Sequence, residues 1–481
     1  MRPARPHPRA PTLPVGRTLP AASLRHRALP PQAPGGTKDA SPPPAPSPSS
    51  STTPPPPVTR LFSNLGPDLR HAPGSTAGAA ALVAGTAVGA GILALPAVTA
   101  PAGFLPSAAG LAAAWAFSVA SGLLLAETNV NTLCALGRGG ASLRAMAGAT
   151  LGRAGAGVTG LAYAFLHGAL LVAYCSRAGE VLEGGAGLPY PAGAALFLGG
   201  VGGVCALFSP AALDAANGAF VAAVVGTFLA LCGSAVATGG PPSTDALFSA
   251  AAQHPAALLP AAPVLALAFV FQNVVPVIVT QLEGDRAKVR TAIVAGSALP
   301  FLLFITWEGV CLGAGGAGGA GGAGAAAALT DPLAALRLAS PATAPLIDAF
   351  SLLAVGTSAI GFTLALTDFA GEALGQPARS LGPYAATLLP PLAGALAAPG
   401  IFLGALNAAG TYGVLVLFGL LPPAMAAIDR ARWAKAAADE GGPVPPARLL
   451  GGGSAGLLAV GGTAAVVIVG ETWRAVSGGG V

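Results

Sequence analysis

Charge is scarce in this chain: 9% of its 481 residues are Asp, Glu, Lys or Arg, where a soluble domain carries roughly 25%. With 53% hydrophobic residues and a mean hydropathy of +0.71, there is too little polar surface to cover a water-borne fold. A soluble globular protein is excluded, and with it a basic nucleic-acid-binding face. The five cysteines, Cys134, Cys175, Cys205, Cys232 and Cys311, are scattered without CxxC spacing, so neither a disulfide framework nor a zinc site is expected. The acids are dispersed, with no cluster of Asp for Mg²⁺, and no Ser–His pair stands within the apolar stretches. A membrane-embedded enzyme, the rival from a different class, therefore has no constellation to work with, and neither a cofactor nor a metal is expected. Rings of charge or a filter sequence, which a channel would need, are missing too.

Acid is rarest at the start. Asp39 is the only carboxylate in residues 1–57, which begin "MRPARPHPRAPTLPVGRTLPAASLRHR" and end in "SPPPAPSPSSSTTPPPP". There is no 7–15-residue apolar core of the kind a secretory signal has, and an Arg-rich, Ser-containing, acid-poor leader reads as an organelle transit peptide followed by a Pro/Ser tract unable to pack. A merely disordered cytosolic tail is the plainer alternative. Further on, "GAGGAGGAGGAGAAAA" over 313–328 has no strand before it and no Lys-Ser/Thr after it, so it reads as a linker and not as a phosphate loop.

What the chain has in quantity is apolar runs long enough for about 30 Å of hydrocarbon. They fall near 76–99, 108–130, 156–180, 191–209, 216–238, 259–281, 291–313, 346–368, 383–398, 401–423 and 452–470, which gives about eleven spans. The ninth is short and contains Pro390 and Pro391, and the tenth is expected to end at Pro422 and Pro423. With the N-terminus inside, one face receives Arg60, Arg70, Arg138, Arg144, Arg153, Arg286, Lys288, Arg290, Arg379, Arg430, Arg432, Lys435 and Arg448, and the other only Arg177, Arg337 and Arg474. Thirteen against three fixes the orientation by the positive-inside rule.

Two spans look broken. "GTAVGAGILALP" (85–96) has three glycines and a proline, and each Gly costs about 1 kcal/mol against Ala inside a helix. "LALAFVFQNVVPVIVTQLEGD" (265–285) puts Gln272 and Asn273 mid-membrane, three residues before Pro276. Glycine for close packing and proline kinks explain either one alone. Together they stand five spans apart, and an odd-numbered unit repeated in tandem crosses the membrane in the opposite sense, so the pair reads as corresponding breaks of an inverted repeat. The expected fold is an all-α polytopic membrane protein of about eleven transmembrane helices in a 5+5 inverted repeat with broken helices 1 and 6. Its segments are the leader (1–57), an inner N-terminal segment (58–75), a first five-helix repeat (76–238), a connecting loop (239–258), a second repeat (259–423), and a linker, eleventh helix and tail (424–481).

The stretches "GTAVGAGILALP", "AFVFQNVVPVIVTQLEGD" and "GIFLGALNAAGTYGVLVLFGLLP" resemble the hydroxy/aromatic amino acid permeases, in particular the tyrosine-specific transport group of bacteria and plastids, over about residues 74–475. The resemblance implies the amino acid–polyamine–organocation superfamily and a LeuT-type fold. It also implies an aromatic amino acid, tyrosine or tryptophan, as substrate, taken up by alternating access with proton symport; another small amino acid, or Na⁺ coupling, is the alternative. For location it favours a chloroplast inner envelope over a mitochondrial or plasma membrane. In such a fold the substrate carboxylate meets amides around Gly89, Ala90 and Gly91 at a helix N-terminus, and the ammonium faces carbonyls near Thr86 and Ala87 and near Phe271 and Gln272, beside Asn273. Tyr163 and His167, four apart on span 3 with Tyr174 on nearly the same face, offer an aromatic wall; His167, an ionisable group within a span, reads as a ligand or proton site ahead of a helix-packing group. Thr357 and Ser358 are candidate ion-coupling hydroxyls, or bond their own backbone. Glu127, Glu308 and Asp368 are candidate proton carriers, although each lies near a predicted span end, where snorkelling or capping is the plainer role. "QLEGDRAKVR" after span 6 reads either as a charged anchor or as an inner-gate network.

Overall fold

The computed structural model describes residues 61–65, 70–89, 91–137, 140–239, 242–314, 343–440 and 448–478. The leader, Ala90, most of the Gly/Ala-rich loop, and Arg60, Arg138 and Arg337 of the charge count lie outside the described residues. Among those described, nine helices are long and apolar enough to cross a membrane, and a tenth span is a bent pair. That pair is α1 (Thr76–Ala87) and α2 (Gly91–Thr99), and with the 3₁₀ turn that carries α2 to Ala102 it is bent by 54°. Spans 2 to 5 are α3 (Phe104–Leu136), α4 (Leu143–Ala186), α5 (Tyr190–Leu207) and α6 (Pro210–Gly239), and the short α7 (Thr244–Phe248) follows.

Span 6 is broken as well: α8 (Ala262–Ala268) stops, Phe269 to Phe271 leave the helix, and a 3₁₀ turn at Gln272–Val274 leads into α9 (Val275–Gln281). Pro276, without an amide hydrogen, stands in the first turn of α9, where no in-helix bond is lost. Span 7 is α10 (Arg286–Ala314) and span 8 is α11 (Ala344–Leu374).

The ninth span is short as expected, and the expected end of the tenth needs adjusting. The ninth span is α12 (Leu381–Ala397), 17 residues with Pro390 and Pro391 inside it; at 1.5 Å per residue it reaches about 25 Å, short of a full hydrocarbon core. Nine or ten full spans plus this short helix are consistent with about eleven spans, the ninth of them short. Span 10 does not end at its prolines: α13 (Phe402–Ala408) passes into a π-helical stretch, Ala409–Leu420, and then α14 (Leu421–Glu440). The change of register starts a new α-helix at Leu421, so Pro422 and Pro423 fall in a first turn, where prolines are tolerated. The last span is α15 (Gly453–Val476).

Where spans must touch backbone to backbone, glycine permits it. A Cβ on Gly296 of α10 would lie 2.5 Å from the Ala80 carbonyl oxygen, so α10 seats directly on α1. Trp307, Phe228 and Phe350 fill the space between α10, α6 and α11, with centroids 5.8–6.0 Å apart. On the Arg-rich face the chain before span 1 is tied to the turn after span 6. The Asn64 amide donates to Glu283 Oε1 (2.6 Å), His71 Nε2 lies 2.7 Å from the same oxygen, and the Asn64 side chain donates to the Thr280 and Gln281 carbonyls. Asp285 accepts from the Ala287 and Lys288 amides and so caps α10. The "QLEGD" turn thus acts as a clamp between segments, with Glu283 rather than the basic residues at its centre.

Glu127, one of the candidate proton carriers, holds the inner ends of three elements. Arg430 of α14 donates to both its oxygens, at 2.6 and 3.0 Å, and the Leu449 amide adds a third bond at 3.0 Å. The two side chains are 2% and 11% exposed. Glu127→Ala should leave Arg430 buried without a counter-charge, at a cost of about 3–5 kcal/mol, read as a lowered thermal midpoint in detergent. The double variant Glu127→Gln/Arg430→Met should recover part of that loss, and an unchanged midpoint for Glu127→Ala would show that the pair does not stabilise the fold.

Candidate functional site

A cavity of about 560 Å³ lies where the break in span 1 meets spans 3 and 8, bounded by Gly85, Thr86 and Val88 of span 1, Tyr163 and His167 of α4, Asn273 and Val274 of span 6, and Thr357, Ser358, Gly361 and Phe362 of α11. That size suits a drug-sized or amino-acid-sized ligand. A second cavity, about 410 Å³, shares Tyr163, Asn273 and Ala365 with it and runs on past Gln272 and Asp368 to Arg144 and Glu372. Those last two form an exposed ion pair (2.6 Å) on the Arg-rich face, so the two spaces together lead from the helix breaks toward that face.

The aromatic wall is built by helical spacing. His167 Nδ1 lies 2.8 Å from the Tyr163 carbonyl oxygen; a carbonyl only accepts, so Nδ1 carries the hydrogen and Nε2 of the neutral ring is left with a lone pair. The His167 ring packs on Tyr163 (centroids 3.9 Å) and meets Phe362 edge-on (5.1 Å). Phe369 also packs against Tyr163 (5.7 Å). Tyr174 does not line the cavity; it stacks on Phe362 at 5.9 Å.

Hydroxyl groups in the wall are partly committed. Thr86 donates to the Leu82 carbonyl (2.7 Å) and Thr357 to that of Ala354 (3.1 Å), which leaves their oxygens as acceptors only. Gln272 is turned away from the larger cavity: its Oε1 accepts from the Phe271 amide (3.0 Å) and its Nε2 donates to the Ser118 carbonyl (3.3 Å). It repairs backbone exposed by the break. Asn273, by contrast, lies in the wall shared by both cavities, and its buried Oδ1 has no hydrogen-bond partner among the described residues.

Thr86, Tyr163, His167, Asn273, Thr357 and Ser358 are thus brought around one space. Ala87 and Phe271 are buried beside it at the two breaks, at 4% and 0% exposure. Gly89 faces span 8, where a Cβ would come within 2.8 Å of Ser358 Oγ, and Gly91 is pressed on Ala268 of α8, with 3.0 Å from a Cβ to its Cα. Ala90 is outside the described residues. Glu127 stands apart, held by Arg430. Phe362, missed in the sequence, was signalled by its place four residues after Ser358, one turn along the same face; nothing local marks the pairing of Arg144 with Glu372, which are 228 residues apart.

Comparison with known proteins adds to this geometry. The chain is 26% identical over 382 residues to a tryptophan-specific transport protein of Haemophilus influenzae, covering 75% of this chain and 89% of that one. It is 28% identical over 348 residues to the tyrosine-specific transport system 2 of the same organism, covering 70% and 83%. Among solved structures, a manganese transporter of Eremococcus coleocola overlaps 82% of this chain and 84% of its own at a TM-score of 0.47 and 15% identity. The family model for tryptophan/tyrosine permeases matches residues 73–453, a range that holds both broken spans and the whole cavity wall: the chain belongs to the tryptophan/tyrosine permease family.

Proposed function

We propose that the protein is a secondary transporter of aromatic amino acids, tryptophan or tyrosine, which binds its substrate in the cavity between spans 1, 3, 6 and 8. The observation that carries this reading is the combination, in one mid-membrane space, of an aromatic wall with an unpartnered acceptor, Asn273 Oδ1. A helix that stops at Ala87 leaves its last carbonyls without in-helix donors, and Val88 takes only that of Ala84. The remaining carbonyls, at the negative end of the α1 dipole, suit the substrate ammonium. The amides that open α2 around Gly91 suit the carboxylate. The side chain would then lie along Tyr163, His167 and Phe362, with His167 Nε2 or Asn273 Oδ1 accepting from an indole N–H or phenol O–H. Paired breaks in spans 1 and 6 support the inverted-repeat scheme and alternating access, with a proton as the coupling ion.

Uptake of radiolabelled tryptophan into proteoliposomes, competed by a panel of amino acids at varied pH and Na⁺, tests this. Aromatic amino acids should compete, and uptake should follow an inward proton gradient without needing Na⁺; competition by small aliphatic amino acids alone would overturn the assignment. Gly85 and Gly361 have nothing within 4 Å of an added Cβ, so Gly361→Leu and Gly85→Leu should fill the cavity and abolish uptake while the protein still inserts and purifies. Asn273→Ala should weaken substrate binding by about tenfold or more, the worth of a buried hydrogen bond to a charged or strongly polar group, read by equilibrium binding; unaltered affinity would remove Asn273 from the site.

For location, the acid-poor, Arg-rich leader (1–57) supports delivery to an organelle, and we place the protein in the chloroplast inner envelope. Residues 1–57 fused ahead of a fluorescent protein should accumulate in plastids; a diffuse cytosolic signal would refute it.

A further inference from the structure

We propose that Glu308 is a proton-binding site whose protonation closes the outer half of span 1. The proposal rests on the transporter reading above for its purpose, though not for its chemistry.

Glu308 lies in α10 near the face opposite the Arg-rich one, beside the fully buried Trp307, and is itself 0% exposed. Its Oε2 is 2.9 Å from Thr99 Oγ1, and its Oε1 has no partner among the described residues. Thr99 ends α2, and its hydroxyl is also 2.8 Å from the Leu95 carbonyl oxygen. A hydroxyl has one hydrogen and a carbonyl can only accept. With that hydrogen on Leu95, the contact to Glu308 is made by a carboxylic acid that donates to Thr99 Oγ1. The ionised form would instead bury a carboxylate with no cation against it among the described residues, a far costlier arrangement.

Among the described residues, the other groups around it do not supply that cation. Neither α1 nor α2 has a titratable residue. Among the described side chains of the other elements near it, α3 has Glu127, held by Arg430, and Cys134, α6 has Cys232, α7 has Asp245, and the 3₁₀ segment under α2 has His254. On α10 itself Arg286, Lys288 and Arg290 stand at the opposite end and Cys311 one turn on.

The contact spans a joint. α2 is seated on α8 through Gly91 and Ala268, and the 3₁₀ turn after α2 is capped from outside, where the His254 amide donates to the Ala102 carbonyl (2.8 Å). Docking α2 in this position takes the Glu308 carboxyl out of water, so docking and proton uptake are linked: the neutral acid favours closure, and ionisation favours an α2 swung away with water at Glu308. A proton is thereby taken from the outer compartment as the substrate is enclosed.

The test uses the full-length chain with its five native cysteines replaced and Ala102→Cys added, a position 0% exposed in the closed outer face. Labelling by a bulky impermeant maleimide is followed in detergent as pH is raised. Relative to the same protein with Glu308→Gln, which keeps the neutral acid's shape, labelling should rise by about tenfold, and Thr99→Val should raise it at every pH. Identical pH profiles with Glu308 and with Gln would overturn the proposal. In proteoliposomes Glu308→Gln should keep tryptophan exchange and lose accumulation driven by a proton gradient; accumulation equal to wild type would also overturn it. The labelling needs no substrate, so a Glu308-dependent profile in a protein that moves no aromatic amino acid would sink the transport reading and leave the proton site standing.

Discussion

Hydrocarbon offers no hydrogen bonds, so each peptide group freed by a break in a spanning helix costs up to several kcal/mol unless protein or a wet cavity receives it. That constraint orders this molecule. Spans 1 and 6 break side by side, and their loose ends are dealt with in two ways. At span 6 the Gln272 side chain folds back onto the Phe271 amide and reaches across to the Ser118 carbonyl. At span 1 the end of α1 opens on a cavity instead. One break is sealed and the other left open, and the open one adjoins the aromatic wall.

The same constraint sorts the acids by what each can find. Glu127 finds Arg430, Glu283 finds the Asn64 amide and His71, Asp285 finds the first turn of α10, and Glu471 finds Arg474 and Asn407. Glu308 finds a threonine hydroxyl. Acids that look alike in the chain thus become a clasp, a clamp, a cap and a buried carboxyl against a lone hydroxyl, according to the donors within reach.

Much of the architecture was legible in the chain. Apolar run lengths placed the spans, and Gly and Pro placed both breaks, because those signals act over a few residues. Six of the residues expected to contact ligand or ion do meet around one space, since helical spacing and the offset between spans 1 and 6 are geometric. The rest depended on contacts between distant segments. Gly91 looked like a bare amide for a ligand and also packs on Ala268; Gln272 looked like a ligand group and mends backbone; Glu308 looked like a span-end carboxylate and is wholly buried. A sequence gives a residue's type but not the neighbour that occupies its hydrogen-bonding groups. Prolines 422 and 423 looked like an end because a π-helical change of register leaves no compositional trace.

The bond between Glu127 and Arg430 joins residues 303 positions apart, and that distance has a consequence for biogenesis. Span 2 enters the bilayer with a carboxylate whose partner has not yet been synthesised, and the acid must wait at the membrane surface through the making of eight further spans. Only when α14 emerges can the inner ends of α3, α14 and the approach to α15 draw together. The last part of the chain therefore acts as a fastener for the first, and a polypeptide cut short before α14 would hold its helices without the bond that locks them.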